Sequence, residues 1–180
     1  IVVGAPSEDS SQNFITNGLV SGSDPSSLNY GAAYVFKRSG ASWTQEAYLK
    51  ASNADSNDWF GYSVAVHNDT ILVGAPSEDN SSSSVLNGDM NGNDSSSSNY
   101  GAAYVFKRSG ASWTSMAYLK SVNPDINDTF GRMVCLNGNT ATVSSYNEAG
   151  SINFIQNQTS GFTTNNTAPN AGAVYVYKFD

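Results

Sequence analysis

The sequence is poor in cysteine, histidine and positive charge, and each shortage removes a class of function. A single cysteine, Cys135, excludes a disulfide framework. A single histidine, His67, leaves little room for a Ser-His-Asp or Cys-His catalytic arrangement, and the clustered spacing of a zinc site is missing. Eight Lys and Arg against fifteen Asp and Glu give a formal net charge of −7, so no basic patch is available to neutralise a phosphate backbone and nucleic acid is not expected as a partner. Long uncharged apolar runs are absent too, so no membrane insertion is expected of this segment, and no stretch resembles a signal peptide. What is present is 180 residues with 39% hydrophobic and 12% aromatic content, enough for a packed core. The chain opens on Ile1-Val2-Val3-Gly4-Ala5-Pro6, which reads as the middle of a strand, and both natural ends are expected to be missing.

Internal repetition is the strongest signal. Residues 29–44 recur letter for letter as residues 99–114, an offset of 70. Gly4-Ala5-Pro6-Ser7-Glu8-Asp9 returns at the same offset as residues 74–79, and Phe60-Gly61 returns as Phe130-Gly131. A third, degenerate copy places Thr142-Val143-Ser144-Ser145-Tyr146 where the second has Leu72-Val73-Gly74-Ala75-Pro76, and answers Gly101-Ala102-Ala103-Tyr104 with Gly172-Ala173-Val174-Tyr175. His67 becomes Asn137 in that copy, which weakens it further as a catalytic base. Cys135 stands where the second copy has Ala65, and reads as a small buried thiol on a strand.

Within one copy the apolar period is two, and it predicts four short strands. The first runs from Tyr62 to Val66, turns at His67-Asn68-Asp69-Thr70, and returns as the second from Ile71 to Gly74. A long polar stretch, residues 77–99, leads to a third strand from Ala102 to Lys107, and Ser109-Gly110 turns the chain into a fourth from Trp113 to Lys120. No helix is predicted. Four antiparallel strands per repeat, punctuated by glycines where a Cβ would obstruct a close approach, fit an all-β propeller blade better than a sandwich.

Phe60-Gly61 before the first strand, Gly74-Ala75-Pro76 after the second and Gly101-Ala102-Ala103-Tyr104-Val105-Phe106 as the third resemble the FG-GAP repeats of the integrin α-subunit propeller and its microbial relatives. The resemblance implies a seven-bladed ring of which about two and a half blades lie in this chain: a partial blade in residues 1–58 (strands two to four), a complete one in 59–120 and a degenerate one lacking its last strand in 121–180. It implies a non-catalytic, extracellular or cell-surface module for adhesion or ligand binding, with other protein chains or extracellular glycans as partners. The alternative is a self-assembling building block of a filament, sheath or surface layer. Blades of this family often carry a calcium loop between their first two strands, but the turns His67-Asn68-Asp69-Thr70 and Leu136-Asn137-Gly138-Asn139-Thr140 are too short and too poor in carboxylates, so that Ca²⁺ site is not carried over.

Candidate site residues lie in the long connections, which the resemblance puts on one rim. Phe14, Ile15, Phe154 and Ile155 are apolar residues in polar loops, suited either to pin those loops to the blade or to contact a partner. Glu78 and Asp79 repeat Glu8 and Asp9, and are candidates for turn bonding or, second, for partner contact. Asp89, Asn91, Asn93 and Asp94 offer oxygen ligands at near-alternate positions around a glycine, a candidate Ca²⁺ site without the distal carboxylate of an EF-hand. Asp55 with Asp58, and Asp125 with Asp128, precede the two Phe-Gly pairs and read as turn-forming residues. Sequons for N-glycosylation occur at Asn68, Asn80, Asn93, Asn127, Asn157 and Asn165.

Overall fold

The computed structural model describes residues 1–20, 27–90, 98–150 and 167–179. Among these there is no helix; twelve strands build three antiparallel sheets. Among the described residues no helix is therefore long and apolar enough to cross a membrane, a statement that does not bear on strands.

The second sheet shows how one repeat folds. Strand β5 (Ser63–His67) turns at Asn68, which takes a positive φ of 52°, into β6 (Thr70–Ala75), and β6 pairs with β8 (Ala102–Ser109) and β8 with β9 (Ser112–Leu119). β6 is buried along its whole length because both of its faces are covered, which is why it reads as an unbroken apolar run. The sheet has one strand more than the four predicted. Leu86–Asn87 (β7) of the long polar connection folds back onto the outer edge, pairing with Tyr118 and Ala117 of β9. An edge strand left bare invites foreign pairing, and β7 shields part of this one.

The first sheet repeats the plan with β1 (Val2–Ala5), β3 (Ala32–Ser39), β4 (Ser42–Leu49) and the shielding strand β2 (Thr16–Asn17), in the order β1-β3-β4-β2. The third has β10 (Phe130–Asn137), β11 (Thr140–Ser145) and β12 (Ala173–Lys178). Cys135 is exposed on β10, not buried as the sequence pattern predicts. The strand alternates, and its buried positions on either side are Gly131 and Leu136.

Two cores weld the sheets together. Ala33, Val35 and Leu49 of the first sheet pack with Ile71, Tyr104 and Trp113 of the second, and Leu72, Val105 and Leu119 of the second pack with Leu136 and Val143 of the third. The Phe-Gly pairs are the hinges. Phe60 meets Tyr104 and Phe106 edge-on at 5.2 and 6.0 Å, and Phe130 meets Tyr175 and Tyr177 likewise at 5.4 and 6.3 Å, so each phenylalanine anchors its own sheet. The glycine then lies flat on the preceding sheet. A Cβ on Gly61 would collide with the Ala32 carbonyl, and one on Gly74 with the Gly131 carbonyl.

Candidate functional site

Each junction between sheets carries a polar network built from the same positions. At the first, Asn53 comes from the connection leaving β4, Glu78 from the turn after β6, Tyr104 from β8 and Lys120 from the residue after β9. Asn53 Nδ2 donates to Glu78 Oε1 at 2.8 Å, Tyr104 O–H donates to Asn53 Oδ1 at 2.8 Å, and Lys120 Nζ donates to Glu78 Oε2 at 2.9 Å and to the Gly101 carbonyl at 2.6 Å. Burial lowers the Lys120 pKa while the neighbouring Glu78 charge holds it up. At the second junction Asn123 and Tyr175 bond Glu148 at 2.7 and 3.0 Å.

A carboxyl from the preceding connection joins each network. Asp58 accepts a bond from the Asp55 N–H at 2.9 Å, and Asp128 accepts the same bond from Asp125, so both pairs form the turns expected of them. The other Asp58 oxygen is buried without a partner. Burial, aided by the charges of Glu78, Asp79 and Asp55, pushes Asp58 up to about 9. Asp128 rises to about 7, again by burial first and with Glu148 beside it. Both carboxyls are buried, Asp58 exposed by 1% and Asp128 by 2%.

Glu78 and Asp79, candidates for turn bonding or, second, for partner contact on the rim, are interior residues, exposed by 1% and 8%. Asp79 Oδ1 accepts from the Ser98 and Asn99 N–H groups and ties off its long connection. Ile15 is packed against the core while Phe14 beside it is exposed, so one of the pair pins the loop and the other faces solvent. Asp89 is exposed; Asn91, Asn93 and Asp94 lie outside the described residues, as do Phe154 and Ile155. Of the sequons, Asn68 and Asn127 are exposed and Asn80 is half-buried, whereas Asn93, Asn157 and Asn165 lie outside the described residues. In the β5–β6 turn, where the family's calcium loop would sit, the single carboxylate Asp69 is already bonded by Arg108, so the residues present do not fit a calcium ion. Among the described residues no group of three or more His, Cys, Asp or Glu side chains converges as a metal site would require.

The exposed groups that do converge were not singled out by sequence. Trp59 and Tyr62 flank the Phe60-Gly61 hinge and stack with ring centroids 6.0 Å apart and planes 13° from parallel. From the next sheet, the Arg132 guanidinium lies 5.5 Å from the Tyr62 ring and 4.8 Å from the Tyr146 ring. Trp59, Tyr62 and Tyr146 are all exposed. The result is a strip of rings and one cation crossing the junction of the second and third sheets. A signal for it existed. These positions differ between copies within segments that otherwise repeat: Trp59 becomes Thr129, Tyr62 becomes Arg132, and Pro76 becomes Tyr146.

Beside Tyr146 an open cleft of about 610 Å³ is lined by Ser144, Asn147, Asn170 and Val174 among others. Residues 43–106 match the FG-GAP repeat family. The matched stretch runs from β4 to β8, so it straddles a sheet junction and contains Asn53, Asp58, Trp59, Tyr62 and Glu78. No curated protein matches the chain.

Proposed function

We propose that this FG-GAP repeat chain is a non-catalytic, extracellular binding module whose sheets are consecutive blades of a β-propeller. FG-GAP repeats are propeller-like modules often found in extracellular binding proteins, which supports the setting. The observation that carries the binding reading is the strip Trp59, Tyr62, Arg132 and Tyr146: three exposed rings and a cation fixed on a rigid junction. Exposed aromatics and arginine supply contact area and directed hydrogen bonds at small entropic cost, which is why they dominate recognition surfaces. Asp58 and Asp128, whose carboxyls burial raises strongly, belong to the junction networks and not to the exposed strip.

The test is binding of the chain to a panel of immobilised extracellular proteins and polysaccharides. The proposal expects at least one member to bind, and the Trp59→Ala/Tyr62→Ala variant to lose it. Failure of every member to bind, or undiminished binding by the variant, would overturn it.

A second reading, a self-assembling structural block, draws on Phe14 and Leu19, which stand exposed in the outer connection of the first sheet. Sedimentation across a hundredfold concentration range separates the two: concentration-dependent association abolished by Phe14→Ser/Leu19→Ser supports assembly, and a concentration-independent species counts against it.

A further inference from the structure

Resting on the binding reading, we propose that the Trp59–Tyr146 strip and the adjoining cleft bind an acidic polysaccharide, with Arg132 holding a uronate carboxylate and the cleft taking the neighbouring neutral sugars.

Arg132 defines the chemistry. Of the three arginines held near aromatic rings, Arg108 is neutralised by Asp69 at 2.5 Å and Glu46 at 3.0 Å, Arg38 lies 6.0 Å from the single ring of Trp43, and Arg132 alone lies between two rings. The Arg132 guanidinium sits between Tyr62 and Tyr146 with no side-chain hydrogen bond or ion pair among the described residues, its backbone N–H alone bonding the Thr129 carbonyl. The two rings fix its planar fork without consuming its N–H donors, and a fork of that kind matches a carboxylate bidentately. The attraction is local to this fork, since the net charge of −7 over the whole chain opposes a polyanion and leaves a single, well-oriented carboxylate contact as the match.

The surroundings favour sugar over peptide. One cation between rings suits a ligand whose carboxylates are spaced by uncharged units, since the C–H faces of pyranose rings stack on aromatic rings while their hydroxyls need amide and hydroxyl partners. The cleft supplies those partners. Ser144 Oγ accepts from the Met133 N–H at 3.0 Å and keeps its own proton to donate; Asn147 donates from Nδ2 to the Asn127 carbonyl at 3.0 Å and keeps its oxygen to accept. Tyr146 belongs to both strip and cleft, so one continuous chain of sugars can pass from Arg132 into the cleft. A tract of Asp and Glu would need several cations in a row, and the strip has one.

The experiment is isothermal titration calorimetry of the chain with a hyaluronan octasaccharide, in which a uronate alternates with a neutral sugar. Binding is expected, at least tenfold weaker in Arg132→Gln and in Tyr146→Ala. Tyr146 is 62% exposed, so its replacement leaves the fold intact, and an unchanged melting temperature checks this. Arg132→Lys keeps the charge but not the fork and is expected to recover only part of the loss. Chitohexaose, which is neutral, is expected not to bind, and hexaglutamate not to compete. Absence of binding to hyaluronan, full binding by Arg132→Gln, or displacement by hexaglutamate would each overturn the proposal, the last pointing to an acidic protein. If hyaluronan fails while another panel member binds through Trp59 and Tyr62, the ligand class is wrong and the binding module stands; if nothing binds, both fall.

Discussion

Lys120 Nζ lies 2.9 Å from Glu78 Oε2, and both side chains are sealed from solvent. The pair clamps the end of β9 to the turn after β6, and through Asn53 it reaches the preceding sheet. Taking either partner away leaves a buried charge uncompensated, which is far costlier than removing both. Lys120→Met is expected to lower stability by about 3–5 kcal/mol in urea unfolding, and Lys120→Met/Glu78→Gln to recover much of that. A Lys120→Met loss below about 1 kcal/mol would show that the pair is not buried in solution.

The glycine contact between sheets makes a second prediction. Gly74→Ala places a Cβ against the Gly131 carbonyl, and the backbone cannot give way as a flexible side chain would. A loss of about 1–3 kcal/mol is expected, the range for overpacking a filled interior. The equivalent position in the third copy is Ser144, whose side chain bonds the Met133 N–H. Ser144→Gly is expected to cost no more than about 1 kcal/mol, since it removes one exposed-side hydrogen bond and a little backbone order. Thermal unfolding of the two variants side by side checks the contrast.

Much of this architecture was legible in the sequence. The exact return of residues 29–44 and the Phe-Gly and Gly-Ala-Pro landmarks located the strands β5, β6, β8 and β9 to within a residue or two, because period-two alternation and turn glycines are local signals. The shielding strands β2 and β7 were not legible. Leu86–Asn87 has no strand pattern of its own and pairs because the edge of β9 offers it partners. The site was legible least of all. Glu78 and Asp79 look like loop acids in sequence, and only the folding of one sheet onto the next buries them. Trp59, Tyr62, Arg132 and Tyr146 come together across a junction that no single repeat contains.

Acidity at the first junction gives a pH prediction with a definite sign. Folding holds the Asp58 carboxyl protonated up to about 9, through burial and the nearby Glu78, Asp79 and Asp55, with Lys120 the one cation of that network. An unfolded aspartate ionises near pH 4, so between these limits the folded chain binds the extra proton, and the stability it confers is complete at low pH and lost as pH rises. Asp128, raised to about 7, acts in the same sense over a narrower window. Asp58→Asn is expected to flatten the fall in melting temperature between pH 5 and pH 8, with its largest stabilisation at pH 8. An unaltered slope would mean that Asp58 is ionised and solvated in the folded chain.

The exposed ion pairs should matter much less. Arg108 bonds Asp69 and Glu46 where the first and second sheets meet, but Asp69 is half exposed and water screens the pair. Asp69→Asn is expected to change stability by less than about 1 kcal/mol in urea unfolding.

The central claim, that ligand is bound at the Trp59–Tyr146 strip, is tested most directly through the three indole N–H resonances. Trp43 is 51% exposed on the first sheet, Trp113 is buried at 3%, and Trp59 stands in the strip. On titration with the hyaluronan octasaccharide the Trp59 signal is predicted to shift in proportion to occupancy while those of Trp43 and Trp113 stay in place. A titration that moves Trp43 and leaves Trp59 unmoved would contradict the account.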